Sequence, residues 1–155
     1  MTLPHRKGPR PATNPEPPHS QISQNSPPEL QDELFDLAKA LPGVTIGRSF
    51  VSVPGSRAFH LDRELAKGPI EAFQAKTEFA HLHPVHDGSL HLSLPPDLTQ
   101  AAIDHGCGEH HPLAPGAVMI FGPRDQAELE VVWQLVRASY RWARGSEGGE
   151  VSRGR

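Results

Sequence analysis

Cysteine is almost missing from this chain. The one thiol, Cys107, excludes an internal disulfide and fits a reducing compartment. No apolar run approaches the roughly 20 residues of a membrane span, and the N-terminus has no apolar leader core. A cytoplasmic protein with no membrane partner is therefore expected. Positive charge is also scarce, because 15 Lys and Arg stand against 18 Asp and Glu. The net charge of -3 offers nucleic acid no global attraction, so no nucleic-acid partner is expected. GxGxxG, P-loop and GxSxG patterns are missing, which removes the usual dinucleotide, nucleoside triphosphate and serine-elbow signatures. Large apolar residues are rare before Glu29 and after Arg144. Such segments cannot bury enough surface to offset ordering entropy. The expectation is a disordered Pro-rich tail over 1–28, a single domain over 29–145 with one modest core, and a second disordered tail over 146–155.

Histidine is plentiful, and four of the ten fall in EFAHLHPVHDGSLHLSLPP, residues 78–96. Period-two alternation on both sides of Asp87-Gly88 predicts a β-hairpin. Burial sets its register, since a slip of one residue would oppose leucines to histidines. Leu82 then faces Leu90, and His81 faces His91. Ala80, Leu82, Leu90, Leu92 and Leu94 form a core face; Phe79, His81, His83, Ser89, His91 and Ser93 form the other. Opposed Cβ atoms lie about 5 Å apart, close enough for His81 and His91 to share a ligand, a proton or a metal ion.

Around this hairpin, Ser26-x-x-Glu29 reads as a capping box for a helix over Pro28 to Ala40, with Leu30, Leu34, Leu37, Ala38 and Leu41 at helical spacing. Leu41-Pro42-Gly43 stops it. VTIGRSFVSV and RAFHL predict a first hairpin about Pro54-Gly55. Residues 62–76 read as a loop with a helical turn near Arg63. Pro95 to Gly106 predicts a short helix, CGEHHPLAPG a loop, Ala117 to Phe121 a buried strand, and the segment after Asp125 an amphipathic helix. The sum is an α+β fold: about five mostly antiparallel strands, two hairpins plus one strand, with helices packed on one face.

The chemistry on offer is imidazole and carboxylate. His81 and His83 share one side of a strand, His91 is their cross-strand neighbour, and Glu109, His110 and His111 follow in a loop able to fold over them. Three imidazoles with an open position suit a catalytic divalent metal, and a carboxylate can replace one. Without metal the same groups are an acid-base set. The simpler account, a solvent-facing sheet side with alternating polar residues, stays open at this point. Cys107 follows a helix C-terminus, whose dipole opposes a thiolate, so a nucleophilic role is not expected. Asp87 reads as a turn former and His60 as an ordinary strand histidine.

Taken in order, EFAHLHP, DGSLHL, GEHHPLA and MIFGPRDQAELE resemble the luciferase-domain family, a small domain found in bacteria and fungi. LPGV and VSVPGSRAF fit as well. The resemblance covers residues 29–145, and the matching positions are His81, His83, Asp87, Gly88, His91, Glu109, His111 and Pro112. Cys107 departs from it, the family residue there usually being tryptophan. Two functions are then carried forward. One is a small enzyme with His81, His83, His111 and Glu109 as catalytic groups, and His81, His83 and His111, with His91 as a further candidate, as metal ligands. The other is a non-catalytic module that binds a small molecule or protein on the same surface.

Overall fold

The computed structural model describes residues 2–145. The expectation for 146–155 therefore lies outside the described residues. The expectation for the N-terminal segment does not hold. Its residues lie along the domain: β1 (Thr13–Asn14) and β2 (Ser20–Gln21) form a two-stranded antiparallel ladder. Leu3, His19 and Gln21 are buried. Composition misjudged this segment because polar anchors, rather than apolar burial, hold it down. The Gln21 amide N–H donates to Asp87, the Gln21 side-chain oxygen accepts from the Gly122 N–H, and Asn25 donates to the Asp87 carbonyl.

Helix α1 (Pro28–Lys39) starts on Pro27, whose extended backbone precedes a proline tolerated in the first turn. No side chain caps it, so the expected Ser26 box is not formed. Instead Gln31 reaches back to donate to the Ser26 carbonyl and across to the Val85 carbonyl. Next come β3 (Val44–Arg48) and β4 (Arg57–Leu61), paired antiparallel, and two single 3-10 turns at Arg63–Leu65 and Ile70–Ala72. The central hairpin is β5 (Glu78–Leu82) and β6 (Leu90–Ser93). Helix α2 (Pro96–Asp104), β7 (Gly108–His110), β8 (Ala117–Ile120) and α3 (Gln126–Arg144) complete the order. Asp125 caps α3 by accepting from the Glu128 N–H.

The main sheet runs β3-β4-β5-β6-β8-β7 with every pair antiparallel. It has six strands, one more than expected, and a two-stranded ladder besides. The extra strand, β7, is too short and polar to show a period. Its place is set by pairing with β8 and by Gly108, where a Cβ would lie 2.0 Å from the Met119 carbonyl oxygen. Helices α1 and α3 pack on one face, where Leu34, Leu129, Leu135 and Val136 join Leu82, Leu92, Val118 and Ile120 in the core. Each such side chain removed from water contributes about 1.5–3 kcal/mol. Among the described residues no helix is long and apolar enough to cross a membrane. The α+β class is as expected, and the second face of the sheet is left for the histidines.

Candidate functional site

The hairpin register is the expected one, with Ala80 opposite Leu92, His81 opposite His91 and Leu82 opposite Leu90. Strict alternation fails at one point. Between β4 and β5 the pairing steps from Phe59↔Ala80 to His60↔Glu78, leaving Phe79 as an extra residue. A bulge of this kind sends two neighbouring side chains to one side. Phe79 therefore joins Ala80 in the core, 5.9 Å from the Tyr140 ring, instead of lying on the histidine face. Glu78 takes the histidine face in its stead. Its carboxylate accepts from His81 Nδ1 at 2.9 Å, from Ser49 Oγ at 2.6 Å and from the Phe50 N–H at 2.8 Å. Burial works to raise its pKa, yet these donors win and hold it below the usual value. The sequence reading missed Glu78; the adjacent apolar pair Phe79-Ala80 was the signal of a broken alternation.

The turn that joins β5 to β6 needs Gly88 at φ +77°, where a Cβ would also press on the Gln31 side chain at 2.5 Å. Asp87 beside it does more than form the turn. Buried, it accepts from the Ser89 N–H and hydroxyl, and Ser89 Oγ lies 2.8 Å from His83 Nδ1. The hydroxyl proton goes to Asp87, so Ser89 accepts from His83 Nδ1–H.

These partners fix the tautomers. With Nδ1–H committed to Glu78 and to Ser89, the neutral rings of His81 and His83 present the Nε2 lone pair. Both Nε2 atoms converge on His91 Nδ1, at 3.1 Å and 3.0 Å. On its far side His91 Nε2 meets His19 Nδ1 at 3.0 Å, and His19 Nε2 meets the Glu109 carboxylate at 2.6 Å. A carboxylate accepts only, so a neutral His19 carries its proton on Nε2 and accepts at Nδ1. His91 accordingly donates from Nε2 and turns a third lone pair, on Nδ1, toward the other two.

Period two along β7 and the residue after it places Glu109 and His111 inward and His110 outward, exposed. Glu109 is fully engaged: besides His19 it accepts from Thr13 Oγ1 at 3.2 Å and from the Arg10 guanidinium. Those donors outweigh burial and lower its pKa. His111 Nδ1 accepts from the Leu113 and Ala114 N–H groups, at 3.0 Å and 3.1 Å. Its neutral ring therefore has the proton on Nε2, with no lone pair left on that side.

Among the described residues two sets of histidines have nitrogens close enough for a metal, His81, His83 and His91, and His19, His91 and His111, all within 4.8 Å inside each set. Only the first offers three free lone pairs. The set expected from sequence is thus divided: His81 and His83 stand together, His111 belongs to the other group, and His91 links the two. In tetrahedral coordination with metal–nitrogen distances near 2.0–2.1 Å, ligand nitrogens are about 3.3 Å apart, so the observed 3.0 and 3.1 Å need only a small opening. Burial, reinforced by neighbouring histidines, depresses the pKa of His83 and His91 well below the ordinary value and that of His111 to a lesser degree. Ligation requires the neutral form that this favours.

The cluster forms the floor of a pocket of about 810 Å³. Pro17 and Pro18 of the N-terminal segment make one wall, and Leu113 to Pro115 another. The cover is therefore shared between that segment and the 111–116 loop, rather than supplied by the loop after Glu109 alone. No lysine or arginine lines the pocket among the described residues. Cys107 lies elsewhere, beside Arg6 and Phe121 in a smaller cavity, with burial raising its pKa. His60 is half-buried and bonded to the Arg48 carbonyl.

Residues 76–139, from just before β5 into α3, match the Luciferase domain. The proteins named luciferase from Armillaria mellea and Armillaria gallica are each 30% identical to this chain over 175 aligned positions, covering 96% of it and 64% of their own length. The luciferase of Neonothopanus nambi is 26% identical with the same coverage. The chain thus spans 64% of the length of these curated relatives. No solved structure matches. A match over 96% of the chain leaves only a handful of residues outside, so it runs through the N-terminal segment as well as the sheet. The histidine hairpin, the Asp-Gly turn and the Glu109 strand all fall inside these matches, which together support a luciferase domain in this chain over residues 76–139.

Proposed function

We propose that the protein is a small metal-dependent enzyme acting on an uncharged, largely apolar molecule held in the pocket. One observation carries this reading: three imidazole lone pairs, each fixed by a partner on the ring's other nitrogen, converge at the pocket floor. His81 Nε2, His83 Nε2 and His91 Nδ1 would hold a divalent transition metal, a class that imidazole suits. Three protein ligands leave room for water or substrate, and the metal would supply Lewis-acid polarisation or activation of a bound oxygen species. Pocket size falls in the range of small-molecule sites, and the lack of lysine or arginine in the lining argues against phosphates and carboxylates. The relatives' name, luciferase, denotes an enzyme, which favours turnover over passive binding here. Glu109 then serves through His19 instead of touching substrate, and His111 is a hydrogen-bond donor at the rim. Light emission forms no part of the proposal, and a cytoplasmic location goes with it only as an expectation.

Metal analysis of protein prepared without a histidine tag tests the reading. About one zinc, iron, manganese or copper per chain is expected, together with a rise in Tm on adding that metal to chelated protein. His81→Ala combined with His83→Ala should remove both. A protein with no bound metal and no Tm response to any of the four overturns it.

A further inference from the structure

The N-terminal segment reaches two of the three proposed ligands. From β1 and β2 it presents His19, buried to 5% exposure, whose Nδ1 lies 3.0 Å from His91 Nε2. From Gln21 it donates a backbone N–H at 3.1 Å to Asp87 Oδ2, while the other Asp87 oxygen takes the Ser89 hydroxyl that orients His83. Arg10 and Thr13, on the same segment, clamp Glu109 from outside. His91 is the one ligand whose donor atom would be Nδ1, and it has no carboxylate of its own. His81 has Glu78, and His83 has Asp87 through Ser89.

We infer that His19 is the positioning residue of the metal centre: by accepting from His91 Nε2–H, with Glu109 holding its own ring, it keeps the His91 Nδ1 lone pair turned to the metal. The inference rests on the metal reading above and deepens it. Without His19, a neutral His91 is free to put its proton on Nδ1, where the Nε2 atoms of His81 and His83 are both ready acceptors at 3.1 and 3.0 Å. That tautomer satisfies the apo protein and blocks the site. Loss of an outer partner of this kind costs about 10- to 100-fold in metal affinity. The segment is therefore a component of the centre, and the centre is incomplete without it.

The experiment uses the full chain, chelated and titrated with cobalt(II) and zinc(II) against a chromophoric chelator, in the unaltered protein, His19→Ala, Glu109→Gln, the double variant and His19→Gln. His19→Ala should weaken binding about 10- to 100-fold, and the double variant should be no weaker than His19→Ala, because both residues act through one bond. His19→Gln, whose side-chain oxygen can still accept from His91, should recover part of the loss. Cobalt absorption in His19→Ala should change shape at saturation, a readout that a purely structural role does not move. Thermal melts of the chelated variants guard against misfolding, and the His19→Gln comparison is made at matched Tm. An unaltered protein that binds neither ion overturns this inference, and the metal reading falls with it if iron, manganese and copper fail as well. An unaltered protein that binds while His19→Ala binds within about twofold, or with an unchanged spectrum, overturns this inference alone.

Discussion

His91 has two ring nitrogens and, when neutral, one proton, so its neighbours decide which nitrogen can act. The same reasoning separates His111 from the three ligands. His111 Nδ1 is already an acceptor for two backbone N–H groups, and turning its other nitrogen into a ligand would cost both bonds. His111→Ala should therefore leave metal affinity within about twofold, whereas His91→Ala abolishes it, as read by the same chelator competition. Equal losses from the two would place the ion in the other group of histidines. Glu78 makes a parallel case for stability. Its side chain satisfies three donors, of which Ser49 and His81 are buried, and removal strands those two in a site where each unpaired group costs about 1–3 kcal/mol. Glu78→Ala should lower stability by about 3 kcal/mol in urea unfolding. Glu78→Gln should recover part of it, since one acceptor oxygen remains. A loss for Glu78→Ala below about 0.5 kcal/mol would show that water replaces the carboxylate freely.

At the scale of elements, the bulge at Phe79 decides which side chains the site receives. It turns Phe79 inward and Glu78 toward His81. Phe79→Ala should cost about 3–5 kcal/mol, the price of an aromatic lost from a packed core, and Phe79→Leu much less. If Phe79→Ala unfolds at the same denaturant concentration as the unaltered protein, the ring is not in the core. The hairpin itself was legible from sequence because period two and burial leave a single register for Leu82, Leu90, His81 and His91. What stayed hidden depends on interactions that leave no period. A bulge inserts one residue and erases the alternation on which the placement of Phe79 rested. Three-residue β7 carries too few positions to alternate. Arm residues His19 and Gln21 are held by hydrogen bonds to Asp87, Glu109 and Gly122, more than sixty residues away, and their proline-rich surroundings carry the composition of a loose tail.

For the whole molecule, a sheet with one face given to leucines and the other to histidines ties stability to pH. His83 and His91 are buried, and their pKa values lie well below 6.5 because burial penalises the charged ring and neighbouring histidines add to that penalty. In the unfolded chain the same rings titrate near 6.5. Between 6.5 and the depressed folded values the unfolded state binds more protons, so stability rises with pH across that window. Its full value is present above about 6.5 and is lost as pH falls, by up to about 1.4 kcal/mol per ring for each pH unit. Glu78 and Glu109 act in the same direction but lower, since their folded pKa values fall below 4.5 and their contribution is lost only as pH drops through that range. The span from 6.5 to 5 therefore belongs to the histidines. Chelated protein should show a Tm that is flat from pH 8 to about 7 and falls steadily from 6.5 to 5. Metal competes with protons for His83 and His91 only as pH nears their depressed folded values, so these two rings should not diminish the Tm gained on adding metal across that window. A chelated Tm that stays level down to pH 5 would mean that these rings take up protons at no cost, and the histidine face would then be open to water instead of sealed beneath the N-terminal arm.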